Sequence, residues 1–264
     1  IISGLVGSEM CIRDSLLYML SKKDIKFIRS LKYKKYRKLY SCFLVEGKKI
    51  ISEFLNSNYE IEKLFFVGSS IFNLNCQFEI DSNSLKKISS LKNPENYLAI
   101  FKLKKQQKIN NQNLIIALDS IRDPGNLGTI IRTCDWFGIE DIICSNDSVD
   151  CYNNKVIQSS MGSVSRVNIS YLDLPNYIKS QKKIVAATSL SGSSIYQNKT
   201  NMKKGILLFG NESNGISKNL LKLTDLNFKI PRFKNEEYPE SLNLASSVAI
   251  FLSEIKKLNG KLNL

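Results

Sequence analysis

The chain has 264 residues, no histidine, six cysteines and a formal charge of +14. Its hydrophobic content of 43% suits one large core or two modest ones, and no apolar run approaches the length of a membrane span. Scattered cysteines with no Cys-x-x-Cys pair argue against a zinc site and suit free thiols in a reducing cytoplasm.

Ile1 to Ser15 reads differently from the rest and resembles translated linker sequence from the end of an assembled gene. It lacks the basic start and small-residue cleavage site of a signal peptide, and is set aside as a non-native leader (1–15), with a native start expected near Met19. Ser21 to Tyr40 reads as helical, opening on a capping-box-like pair, Ser21 and Asp24, with an apolar stripe at Ile25, Ile28 and Leu31. Around the stripe stand many cations, of which Lys32, Lys34, Lys35, Arg37 and Lys38 are the expected RNA-binding set, interleaved with Tyr33, Tyr36 and Tyr40. Cations neutralise phosphates and tyrosines stack on unpaired bases. From Leu16 to Gln112 basic side chains outnumber acidic ones more than two to one, and beyond it they are nearly balanced. A polyanion is the economical partner for such a front part.

Alternation follows: strands at Phe43 to Val45, Lys63 to Val67 and Tyr97 to Leu103, helices at Lys48 to Asn56 and Asn83 to Leu91. This predicts a small α/β sandwich over 16–101, then a Lys/Gln/Asn-rich linker over 102–112. The remainder, 113–264, alternates with longer elements. Strands are expected at Leu114 to Leu118, Asp141 to Cys144, Val167 to Tyr171, Ile184 to Thr188, Ile206 to Phe209 and Asn227 to Ile230. Helices are expected at Asn126 to Phe137, Tyr152 to Met161, Leu174 to Gln181 and Ile216 to Leu221, with a loop at Ser191 to Ser194. A closing helix begins with Ser241 as its N-cap and ends near Gly260. The pattern predicts a mostly parallel sheet with helices on both faces.

Three strand-loop-helix junctions carry small and amide-bearing residues: Asn126 to Arg132, Gly210 to Gly215, and Ile230-Pro231 followed by Ser241 to Ala245. In open α/β sheets such junctions bind ligands. No Gly-x-Gly-x-x-Gly follows the first strand and no P-loop occurs, which disfavours dinucleotide and P-loop chemistry.

Taken together, Asn126 to Arg132, Leu208-Phe-Gly-Asn-Glu212 and Ile230-Pro231…Glu240-Ser-Leu-Asn243 resemble, in order and spacing, the three motifs of the SpoU (TrmH-like) ribose 2′-O-methyltransferases of the SPOUT superfamily. Met161 to Val167 resembles the segment between those motifs, and the front part is similar to the family's RNA-recognition domain. The resemblance implies an α/β methyltransferase domain with a C-terminal trefoil knot, a homodimer, and S-adenosylmethionine held near Thr188, Leu208, Gly210, Ile230 and Leu242. It implies that Asn126, Arg132, Glu212, Ser241 and Asn243 serve substrate and catalysis, with no metal. The family's proposed base matches Arg132, but arginine is effectively never deprotonated in proteins. The reading is therefore that Arg132 orients the target phosphate and stabilises the alkoxide, while Glu212 orients Arg132, across the dimer interface. Asn126 would position the ribose, and Ser241 and Asn243 would hold the motif loops. Ribosomal RNA is the expected substrate, with transfer RNA second and a catalytically silent RNA-binding protein as the rival. One departure stands out: Lys234 occupies the position of a family glycine, and Asn235 to Pro239 lengthens the loop.

Overall fold

A computed structural model describes residues 17–197, 202–233 and 241–259. The leader, the lengthened loop with Lys234, and Gly260 lie outside the described residues.

The front part opens with α1 (Lys22–Ser30) and α2 (Lys34–Tyr40), then β1 (Cys42–Glu46), α3 (Lys48–Leu55), β2 (Ile61–Phe66), β3 (Gln77–Glu79), α4 (Ser82–Ile88) and β4 (Tyr97–Lys102). Ser21 caps α1 through a reciprocal bond with Asp24. The single helix expected from Ser21 to Tyr40 is two, because the backbone N–H groups of Leu31, Lys32 and Tyr33 close tight i→i−3 turns. The strands form one sheet in the order β1-β4-β2-β3, antiparallel except for the β2/β3 pair. β3 was not expected, because its three half-buried residues are too short to show a period.

The second part runs β5 (Leu114–Leu118), α5 (Pro124–Trp136), β6 (Asp141–Ser145), α6 (Asn154–Ser160), β7 (Asn168–Leu172), α7 (Leu174–Ser180) and β8 (Val185–Ser194). It continues with β9 (Gly205–Phe209), α8 (Lys218–Leu221), β10 (Leu226–Lys229) and α9 (Leu244–Asn259). All pairings in its six-stranded sheet, ordered β10-β8-β9-β5-β6-β7, are parallel. Both faces are buried, so β5 and β9 read as unbroken apolar runs. Ile116, Leu118, Leu207 and Phe209 point to the core that holds α5, α6 and α9; Ile115, Ala117, Ile206 and Leu208 point to the one beneath α7 and α8. The period of two sorts them.

The core under α5 also takes in Phe43, Tyr97 and Phe101 of the front sheet and Phe54 of α3, so the two parts share one buried cluster. Arg166 bridges Glu53 on α3 and Asp135 on α5. Gly162, at φ +94°, lies against Glu53 with no room for a Cβ at ordinary contact distance. Gln158 Nε2 donates to the Glu46 carbonyl at 2.9 Å.

Ser191 to Ser194, read as loop, belongs to β8. In its pairing with β10, Ala187 faces Asn227 and the next partner, Ser193, faces Phe228, so the residues between bulge out of the ladder. That excursion stands at the edge of the sheet where the β9 and β10 loops also emerge.

Candidate active site

Parallel strands present their carboxyl ends on one side, and the three sequence motifs meet there. Asp123 caps α5, its Oδ1 accepting from the Asn126 backbone N–H at 2.7 Å, with Pro124 as the first helical residue. The cap turns Asn126 towards the loop after β9. Its Nδ2 donates to Glu212 Oε1 at 3.0 Å, and its Oδ1 accepts from Asn243 Nδ2 at 2.9 Å. A carboxylate only accepts, so Glu212 fixes which end of the Asn126 amide is nitrogen, and Asn243 must then donate.

Asn243 does a second job. Its Oδ1 accepts from the backbone N–H groups of Ala245 and Ser246 at 2.9 and 3.3 Å, capping α9. The N-cap is therefore Asn243 and not Ser241, which lies exposed two residues earlier. Asn is as good a cap as Ser, and only the fold reveals which one is used.

The loop after β9 is held from both sides. Gly210 is buried, and a Cβ there would strike the backbone of Gly215 and Ile216. Asn211 Oδ1 accepts from the backbone N–H groups of Ser213 and Asn214 at 3.0 and 3.1 Å, while its Nδ2 donates to the Ser120 carbonyl at 2.8 Å. Ser120, at φ 55°, adopts the left-handed conformation, which a non-glycine residue takes only where its surroundings hold it. Its N–H donates to Ser145 Oγ at 2.7 Å and its hydroxyl to Asp147 at 2.8 Å. The Ser145 and Ser120 hydroxyls hold the Asp147 carboxyl below the usual carboxylate range. Asp119, nearly buried, accepts from the Ser217 N–H at 2.8 Å. Asp119, Ser120, Asn211 and Ser217 wall a cleft of about 580 Å³, lined also by Arg122, Asp123 and Glu212. Sequence reasoning missed Ser120, Asp119 and Asn211. Asn211 had a visible signal, as an amide between Gly210 and Glu212 where Asx turns form.

Arg132 stands apart. It is exposed on α5, about 9 Å along the helix axis from Asn126. Within one chain Glu212 bonds to Asn126 and Asn211, so the pairing expected with Arg132 is not made there. Thr188 Oγ1 donates to the Leu208 carbonyl at 3.1 Å, tying the β8 excursion to β9. Ile230 is half-buried, and Leu242 is exposed. Among the described residues no group of acidic and cysteine side chains is placed to hold a metal ion, and no helix is long and apolar enough to cross a membrane.

The basic set divides. Lys32, Lys34, Lys35 and Lys38 are exposed on the surface around α2. Arg37 is 2% exposed and paired with Asp150 at 2.5 Å, and it also donates to the Leu31 and Lys32 carbonyls. Its donors are used within the protein, which corrects its place among the RNA-facing cations. Tyr33 and Tyr40 are exposed, and Tyr36 and Tyr40 stack with centroids 6.2 Å apart.

Comparison with known proteins accords with this geometry. The SpoU rRNA Methylase family matches residues 113–253, and the MRM3-like substrate binding domain matches residues 22–99. The chain is 26% identical over 243 residues to the 23S rRNA (guanosine(2553)-2′-O)-methyltransferase RlmP of Bacillus subtilis, covering 89% of this chain and 96% of that one. A TrmH-family protein structure from Porphyromonas gingivalis superposes with a TM-score of 0.81 at 33% identity, over 91% of this chain and 99% of that one. An AdoMet-bound rRNA methyltransferase from Sinorhizobium meliloti superposes at 0.80 with 28% identity, over 91% and 97%. With its three motifs gathered at one sheet edge and residues 113–253 matched by the family, the chain belongs to the SpoU rRNA methylase family.

Proposed function

We propose that the protein methylates a ribose 2′-hydroxyl of ribosomal RNA, using S-adenosylmethionine. The observation that carries this reading is the side-chain relay Asn243–Asn126–Glu212, which joins one residue from each motif by direct hydrogen bonds. The names and bound cofactor of the similar proteins support the same chemistry.

The residues present fit the cofactor. Gly210 keeps the β9 loop free of a side chain, Thr188 fixes the β8 excursion on Leu208, and the exposed Leu190 of that excursion and the exposed Leu242 offer apolar surface. With Ile230 these would hold S-adenosylmethionine, which supplies an electrophilic methyl group. Asn126 keeps one N–H and one lone pair beyond its two bonds, enough to donate to one ribose oxygen and accept from another. Arg132, permanently charged, orients the target phosphate and stabilises the oxygen as its negative charge develops. The hydroxyl proton leaves to a phosphate oxygen or water. Ser241, exposed two residues ahead of Asn243, would meet polar groups of the cofactor.

The functional unit in this reading is a cytoplasmic homodimer with the knotted C-terminal half of its family. Arg132 and Trp136 lie one turn apart on α5, and Trp136 is 86% exposed, an aromatic surface suited to a second copy. There the Arg132 of one copy would meet the Glu212 of the other.

Labelled S-adenosylmethionine with unmodified ribosomal and transfer RNA in parallel tests the reading. Label in the ribosomal pool, surviving alkali in a protected dinucleotide, is expected. Label in transfer RNA alone would replace the substrate, and bound cofactor with no transfer to either would identify a silent binder.

A further inference from the structure

A second cleft, of about 380 Å³, lies where the front part meets the catalytic sheet. One wall is α2 with Lys34 and Lys38, another is the connecting segment from Leu103 to Gln107, and Tyr59, Tyr152 and Tyr171 line it from both parts of the chain. A single loop separates it from the site above. Asp147 of that loop bonds Ser120 and Arg122 of the first cleft, while Asn146 and Asp150 line the second.

Its charge is one-sided. Lys34, Arg37, Lys38, Lys104 and Lys105 face Asp150 alone, and Asp150 is already paired with Arg37. Among the described residues no carboxylate pairs with any of the four lysines. Gathering cations without counter-charge costs self-repulsion that an anion would relieve.

Its aromatic surface is fixed. The hydroxyls of Tyr59 and Tyr152 bond each other at 2.9 Å, and Tyr171 OH donates to the Val149 carbonyl and accepts from the Cys151 N–H, both at 2.7 Å. With their hydroxyls engaged, the rings offer the cleft π-surface. Lys34 Nζ sits 5.5 Å from the Tyr171 ring centre and Lys104 Nζ 5.4 Å from that of Tyr59, placing cations over the same surface. Gln106, Gln107 and Asn146 add amide donors and acceptors. Cations for a phosphate, rings for a base and amides for its edge together complement one nucleotide, and the volume is that of a small-ligand pocket.

We infer that this cleft seats a single unpaired nucleotide of the substrate RNA, separate from the one whose ribose is methylated. Its phosphate lies among Lys34, Lys38, Lys104 and Lys105, and its base against the tyrosines. The inference rests on the RNA reading of the protein's function.

The test is Lys104→Glu with Lys105→Glu in the full-length protein, both residues on the connecting segment and outside any ion pair among the described residues. The control is Lys86→Glu with Lys87→Glu, on α4, whose Leu85 and Ile88 pack into the separate outer core. Binding of unmodified ribosomal RNA is measured across salt concentrations, together with S-adenosylmethionine affinity, kcat and the KM for RNA. The cleft variant should bind RNA at least about tenfold more weakly, with a salt slope smaller by about two, a higher RNA KM, and unchanged kcat and cofactor affinity. The control should stay within about threefold of the parent protein, inside the screened range of a remote surface charge. Unchanged RNA affinity in the folded cleft variant, or equal weakening in the control, would overturn the inference. A titration with adenosine monophosphate separates the sources of the ligand: micromolar binding lost in the cleft variant would assign the cleft to a free nucleotide and reject the RNA assignment. The RNA-binding readout needs no methyl transfer, so failure of the proposed reaction and failure of the cleft are distinguishable.

Discussion

Asn243 Nδ2 donates to Asn126 Oδ1 at 2.9 Å, joining two side chains 117 positions apart in the sequence. The bond does more than close a loop. It fixes the Asn126 amide so that its nitrogen faces Glu212, and the same Asn243 caps the closing helix, so the position of α9 and the orientation of the substrate-side amide depend on one side chain.

Asn126→Asp breaks this arrangement with almost no change in volume. The new carboxylate cannot donate to Glu212 and sets a like charge against it. Misplacing a positioning group beside the reacting atoms costs up to about a hundredfold, so methyl transfer should fall about tenfold to about a hundredfold. The site is half-exposed, so the thermal unfolding midpoint should move little. Single-turnover rates and a thermal melt check both halves.

Gly210→Ala places a Cβ against the backbone of Gly215 and Ile216, which no rotamer change relieves. Overpacking of this kind costs about 1–3 kcal/mol. The expected outcome is a lower unfolding midpoint together with weakened S-adenosylmethionine binding by calorimetry. Retention of both would mean that the β9 loop has another path.

Arg37→Ala leaves the half-buried Asp150 without its partner and the Leu31 and Lys32 carbonyls without their donor, a loss at the lower end of the about 3–5 kcal/mol that breaking a buried pair costs. Lys35→Ala, on the same helix but exposed, should change stability by no more than about 0.5 kcal/mol. Urea denaturation of the two variants separates a structural arginine from a surface lysine.

That contrast marks how far the sequence could be read. The two parts, the parallel sheet and the three motifs were legible because apolar runs and strand-loop-helix junctions are local signals. That Asn126, Glu212 and Asn243 serve one site was implied by the family resemblance, whereas the bond from Asn126 to Glu212, which the sequence reading paired with Arg132, was not foreseen. Arg37 was not legible: it shares a cationic run with Lys34, Lys35 and Lys38, and only its partner Asp150, 113 positions away, turns it inward. Nor was the choice of Asn243 over Ser241 as helix cap, since both residue types cap well. The bulged β8 was lost because Ser191-Gly-Ser-Ser194 has loop composition, and its extended shape comes from pairing with β10.

Burial pushes the Cys144 thiol up to about 12, and burial with the Glu62 carboxylate beside it does the same for Cys42. A raised folded-state pKa means that the folded chain holds these protons more tightly than the unfolded chain does. The resulting stability is complete below the ordinary thiol value and is lost as the pH climbs from about 9 towards 12. Denaturant midpoints should therefore fall steeply over that window, and Cys42→Ala should flatten part of the fall. In the native protein at neutral pH, alkylation should reach Cys76, which is half-exposed, well before Cys42, Cys134, Cys144 or Cys151.

The most direct test of the account is transfer of labelled methyl to unmodified ribosomal RNA by the parent protein and by Arg132→Ala, with the product digested by alkali. Arg132 is exposed on its helix, so the variant should fold and bind cofactor as before. The parent should yield an alkali-resistant labelled dinucleotide, and the variant a rate at least about a hundredfold lower, the scale for losing a group that stabilises developing charge. Equal transfer by both, or label that alkali releases as a methylated mononucleotide, would contradict it.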